Sequence, residues 1–136
     1  MDFGIKDKVA VITGGGSGIG RAVADLLATE GVKLALVGRT QSKLQSAAQE
    51  LSKHTEAIPV VADMTKIAEV EAAKQKIIDH YGSVDILVNS AGITGATGDF
   101  LGLTEEDWLR WVRNPQRAVL PLRTCSGHYP IASLSR

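Results

Sequence analysis

The stretch Val9-Ala10-Val11-Ile12-Thr13-Gly14-Gly15-Gly16-Ser17-Gly18-Ile19-Gly20 decides how the rest of the chain reads. Residues 9–13 are mostly apolar and β-branched, and three consecutive glycines close the run. A short apolar run bounded by turn residues is the mark of a buried parallel strand. Downstream, Ile19, Ala22, Val23, Leu26 and Leu27 recur at three- and four-residue steps, which predicts a helix with that set as its apolar face. Gly31 supplies its C-terminal stop. The local order is strand, glycine turn, helix.

The same rhythm continues outward from this unit. Residues 34–37 form a second apolar run, and residues 41–52 predict a polar helix with Leu44, Ala47, Ala48 and Leu51 inward. Residues 58–62 give a third strand. A charged amphipathic helix follows over 67–81, ending at Gly82, and a fourth strand over 84–89 is closed by Ser90, Ala91 and Gly92. Four strands alternating with three helices demand a parallel sheet covered on both faces, with right-handed crossovers. The expected fold is α/β: the N-terminal half of a Rossmann-type doubly wound sheet, in strand order 3-2-1-4. No internal repeat or low-complexity segment interrupts it.

The glycine turn joins the first strand to the first helix. There the free N–H groups and positive dipole end of a helix can bind a pyrophosphate, provided no side chain blocks the approach. Gly14 allows the tight turn, Gly18 lets the backbone approach phosphate, and Gly20 lets the helix pack closely. A glycine triplet alone is weak evidence. Its place after a buried strand, at the start of a βαβ unit, is the context that marks a dinucleotide site.

The spacing is not the common GxGxxG. Thr13-Gly14-Gly15-Gly16-Ser17-Gly18-Ile19-Gly20 resembles the TGxxxGxG turn of the short-chain dehydrogenase/reductase family. Asp63, with Met64 beside it, follows the third strand where that family uses an Asp against the adenine ring. Asn89-Ser90-Ala91-Gly92 is similar to its NNAG signature, with Ser90 in place of the second Asn. The likeness runs over about residues 6–108. It implies a candidate cofactor-binding set of Thr13, Gly14, Gly16, Ser17, Gly18, Ile19, Gly20, Arg39, Asp63, Met64, Asn89, Ala91 and Gly92. At the end of the second strand an acidic residue would accept bonds from the adenosine ribose, whereas Arg39 pairs with a 2′-phosphate. NADP is therefore the preferred cofactor, with NAD the alternative.

For complete members the resemblance implies hydride transfer between nicotinamide and an alcohol or carbonyl substrate. It also implies a homo-oligomer, which is not carried over to this chain. A Tyr serves as acid/base, a Lys four residues later lowers its pKa, and a Ser positions the substrate oxygen. The cation is needed because an unperturbed Tyr titrates near ~10 and is a poor base at neutral pH. Here Tyr81 and Tyr129 are followed four residues later by Asp85 and Ser133. No catalytic residue is assigned, and Tyr81, at a helix end, reads as a packing residue. His54, His80 and His128 stand at no metal-ligand spacing, and the single Cys125 permits neither a disulfide nor a cysteine metal cluster.

Fifteen basic against fifteen acidic residues leave no net charge, which argues against nucleic acid and membrane surfaces as partners. The start of the chain carries no apolar signal region, and no stretch approaches a membrane span, so the expected setting is cytoplasmic. Beyond residue 92, three glycines fall within 93–102, and Thr104 opens an expected helix over 104–112 as its N-cap. Pro115, Pro121 and Pro130 then break every apolar window. The expectation is a partial nucleotide-binding domain over 1–113 and an irregular segment over 114–136 foreign to the fold. A reading-frame shift near residues 111–115 would account for it, leaving a nucleotide-binding fragment or an inactive product.

Overall fold

The computed structural model describes residues 3–92 and 104–106. The expected helix beyond Glu106, the segment 114–136, Cys125, His128 and Tyr129 lie outside the described residues. Within them, Glu105 and Glu106 are helical and Thr104 precedes them.

The elements alternate as β1 (Val9–Thr13), α1 (Gly18–Thr29), β2 (Lys33–Gly38), α2 (Gln41–Leu51), β3 (Ala57–Val61), α3 (Ile67–Tyr81) and β4 (Ile86–Asn89). The strands form one parallel sheet in the order β3-β2-β1-β4, as expected. Val11 pairs with Ala35 on one side and Leu87 on the other, which fixes the register of the centre. Pro59, which cannot donate a backbone hydrogen bond, sits on β3 at an outer edge of the described sheet.

Alternation along the strands splits the core into two layers. Ala10 and Ile12 of β1 and Leu34 and Leu36 of β2 pack with Ala24 and Ala28 of α1 and with Leu44, Ala47, Ala48 and Leu51 of α2. Val11, Ala35, Val37 and Val60 face the opposite way, against Val70, Ala73 and Ile77 of α3. Both faces of the two central strands are therefore buried, which is why β1 and β2 read as unbroken apolar runs. β4 is only half-buried, and among the described strands it pairs with β1 alone.

Two expectations need correction. The apolar set read for the first helix is only in part its packed face: Leu27 packs against the core, but Ile19 and Leu26 are 78% and 70% exposed. The buried residues of α1 are Gly20, Ala24 and Ala28. They recur every four residues and have side chains small enough to let the helix lie close on the sheet, so size rather than hydrophobicity selects the inner face. β4 begins at Ile86 rather than residue 84, because Asp85 serves as a clamp. Its N–H donates to the Val9 carbonyl, and its Oδ2 accepts the Val9 N–H, at 2.9 Å each.

Candidate functional site

The carboxyl ends of the four parallel strands meet at one edge of the sheet, where loops must turn back into helices. There β1 runs into the glycine turn, which is held by the Gly14 N–H donating to the Val37 carbonyl at 2.7 Å. Gly14 has φ +71° and Gly18 φ +58°, left-handed values that glycine adopts without strain. A Cβ on Gly14 would meet the Ser90 carbonyl oxygen at 2.8 Å, so the turn and the loop after β4 touch backbone to backbone. A Cβ on Gly20 would overlap the carbonyl of Gly14 itself. The close packing expected of Gly20 is thus against the turn more than against the strand. In α1 the first helical bond runs from the Arg21 N–H to the Ser17 carbonyl. The amides of Gly18, Ile19 and Gly20 precede it and stand outside the helix ladder.

Thr13, 1% exposed, joins the two loops from behind. Its Oγ1 accepts the N–H of both Ser90 and Ala91 at 3.1 Å and donates to the Val88 carbonyl at 3.4 Å. One hydroxyl therefore sets the loop after β4 relative to the glycine turn. Its partners on both sides leave no lone pair or proton for a ligand.

In front of these loops lies a cavity of about 410 Å³, within the range of small-molecule sites. Ten of the sequence-predicted residues line it: Gly14, Gly16, Ser17, Gly18, Ile19, Arg39, Asp63, Met64, Ala91 and Gly92. Thr13 and Gly20 stand behind the wall as supports, and Asn89 ends β4 outside the lining. The sequence reading missed Thr40, Lys43 and Thr65, which also line the cavity. Lys43 and Thr40 carry no motif of their own. Their place follows from Leu44, whose buried side chain seats the start of α2 beneath Gly16 and Gly38.

Asp63 follows β3, with its Oδ1 accepting the Thr65 N–H at 2.9 Å and the Thr65 hydroxyl at 2.7 Å. The Thr65 N–H and then its hydroxyl hold the carboxyl below the usual Asp range, with Lys66 and Arg39 adding smaller pulls. The Asp63 N–H donates to Glu69 at 2.7 Å, which fixes the loop from the α3 side.

A cradle of amides and glycines, two cations and an ionised Asp at the carboxyl edge of a parallel sheet is the arrangement expected at a topological switch point. The sequence profile described as short chain dehydrogenase matches residues 8–123. The chain belongs to the short-chain dehydrogenase family. An uncharacterised oxidoreductase of Staphylococcus epidermidis is 37% identical over 133 residues, covering 91% of this chain and 56% of that protein. L-sorbose reductase from Gluconobacter frateurii, solved with NADPH and L-sorbose, superposes with a TM-score of 0.81 at 36% identity. That match covers 92% of this chain and 48% of the reductase. A 3-ketoacyl-(acyl-carrier-protein) reductase from Brucella melitensis, solved with NADH, gives a TM-score of 0.76 at 35% identity, over 88% of this chain and 48% of that one. The chain thus spans about half the length of the relatives it matches.

The short-chain dehydrogenase motifs gather at one end of the sheet, and Tyr81 stands at the other. Its hydroxyl donates to the Leu34 carbonyl at 2.9 Å, where β2 begins, and burial pushes its pKa up. That is a structural bond closing α3 onto the sheet. His80 pairs with Glu56 at 2.7 Å on the same remote side, and His54 is exposed. Among the described residues no three His, Cys, Asp or Glu side chains are grouped to hold a metal. No described helix is long and apolar enough to cross a membrane.

Proposed function

We propose that this chain is the nucleotide-binding part of an NAD(P)-dependent oxidoreductase, with NADP the preferred cofactor. The observation that carries the reading is the glycine turn: Gly14 and Gly20 occupy positions where a Cβ would strike backbone, and the turn opens onto the cavity. The amides of Gly18 and Ile19 bind the pyrophosphate. Asp63 and Met64 hold the adenine end, Ala91 and Gly92 flank the ribose next to the nicotinamide, and Ile19 gives that side an apolar wall. Asn89 supports the loop after β4. Arg39, at the end of β2 where an acid would select NAD, selects the 2′-phosphate. The relatives include proteins solved with NADPH and with NADH, so the preference rests on Arg39.

When bound, the nicotinamide supplies the hydride exchanged with an alcohol or carbonyl carbon. The sequence contains no Tyr followed four residues later by Lys, so the chain positions the cofactor and lacks the acid/base that moves the proton. The test is calorimetric titration with NADPH, followed by its oxidation with a panel of ketones and aldehydes. The expected result is binding without turnover. Turnover by this chain would contradict the assignment of no catalytic residue, and absence of binding would overturn the cofactor reading itself.

A further inference from the structure

Lys43 belongs to none of the sequence motifs. It is exposed, and neither it nor Arg39 has an ion-pair partner among the described residues. Both line the cavity, and among the described residues no other Lys or Arg does. They reach it from different elements: Arg39 follows the end of β2, and Lys43 stands in the first turn of α2. The fold brings Lys43 close to the glycine turn. A Cβ on Gly16 would stand 3.5 Å from the Cβ of Lys43 and 3.3 Å from Leu44 Cδ2, so the stem of Lys43 starts against the turn. Leu44, 1% exposed, fixes that start, leaving the ammonium on a flexible four-carbon tether. Among the described residues the one acid in the lining, Asp63, has its Oδ1 committed to Thr65. Among the described residues this corner of the cavity therefore holds two cations, one of which also pulls on Asp63, against that one engaged carboxylate, an excess of positive charge that a diphosphate bound over the amides of α1 does not need for its own recognition.

We propose that Lys43 is a second specificity-determining residue, which together with Arg39 holds the 2′-phosphate of NADP. This deepens the reading given under Proposed function and rests on it. The division of labour follows from the side chains. Arg39 offers a planar fork that fixes the orientation of the phosphate, and Lys43 adds a mobile point charge from α2. A dianionic 2′-phosphate gains from both cations, whereas the neutral 2′-hydroxyl of NAD gains from neither.

The experiment is calorimetric titration of wild type, Lys43→Gln, Lys43→Arg and Arg39→Gln with NADP, NAD and adenosine 2′,5′-bisphosphate. Thermal unfolding without ligand serves as the folding control. Lys43→Gln is expected to weaken NADP and the bisphosphate about tenfold while leaving NAD within about twofold, the size of one charge-assisted contact. Lys43→Arg is expected to restore most of the loss, and added salt to narrow the gap between wild type and Lys43→Gln. Three results would overturn the proposal. An unchanged NADP-to-NAD ratio in Lys43→Gln removes Lys43 from recognition while leaving the cofactor reading intact. Equal weakening of NADP and NAD assigns Lys43 to the pyrophosphate instead. A wild type that binds neither nucleotide overturns both readings together.

Discussion

The two walls of the cavity work by opposite means. The glycine turn is defined by what it lacks, since Gly14 and Gly20 leave no room for a single Cβ and their neighbours are backbone that cannot move aside. The corner between β2 and α2 is defined by what it carries, the guanidinium of Arg39 and the ammonium of Lys43, both exposed and free to adjust. On the reading proposed above, the first wall binds what all dinucleotides share, and the second distinguishes one from another. Changes in the turn should therefore act on folding and on both cofactors alike, and changes at the corner on NADP alone.

The largest expected effect is that of Gly20→Ala. Its Cβ would overlap the Gly14 carbonyl, and relief requires the turn to move off the loop after β4. A loss of about 3 kcal/mol in chemical denaturation, the upper range for overpacking, is expected, with no measurable binding of either nucleotide. Gly18→Ala sharpens the point, because Gly18, unlike Gly20, has a positive φ and nothing within 4 Å of the added Cβ. Only backbone strain remains there, about 1 kcal/mol. If the two variants behave alike, steric closeness is not what the turn is built around.

Thr13→Val is nearly isosteric but deletes the acceptor shared by the Ser90 and Ala91 amides. Leaving the Ala91 amide unpaired, and Ser90 with the Thr13 carbonyl alone, costs about 2 kcal/mol, while Thr13→Ser keeps the hydroxyl and most of the stability. Both cofactors should weaken in Thr13→Val, since the loop after β4 loses its tie to the turn. Arg39→Ala tests the other wall: NADP affinity should fall roughly twentyfold, and NAD affinity should hold or rise. Equal loss of both would erase the contrast between the walls.

The smallest effect concerns acid. The Thr65 amide and hydroxyl keep Asp63 ionised to lower pH than an ordinary Asp. A carboxyl with a depressed folded-state pKa contributes stability that is complete above its unfolded pKa, near ~3.9, and lost as pH falls through the folded value. Wild type should therefore exceed Asp63→Ala in stability by a constant margin above about pH 5, and the margin should shrink below about pH 4. A margin that persists undiminished at the acid end would show that the carboxylate charge is not what holds the loop.

How legible the molecule was in its sequence differs along the same line. The glycine turn, the strand ends and the order of elements depend on residue types whose meaning is local, and Gly14, Arg39, Asp63 and Gly92 reach one cavity as their spacing implied. Leu44, Ala47, Ala48 and Leu51 are buried as their periodicity required. The first helix misled in part because large apolar residues carry the hydrophobic signal, whereas full burial there selects the small set Gly20, Ala24 and Ala28, with Leu27 of the expected set packed beside them. Lys43 was invisible for a different reason. A lysine in the first turn of a polar helix reads as a solvated charge until the fold sets that turn beside Gly16. Asp85 was read as part of a strand, although its side chain accepts the bond that a backbone carbonyl would otherwise accept.

The central claim is that this chain folds as a nucleotide-binding unit that prefers NADP, and the most direct measurement is a thermal-shift titration with NADP and, separately, NAD. A ligand that binds only the folded state stabilises it by about 2.7 kcal/mol at a hundredfold excess over Kd. A cooperative transition that rises with both nucleotides, and at lower concentration with NADP, is the predicted result. A transition that neither nucleotide shifts, or that NAD shifts at the lower concentration, would contradict it.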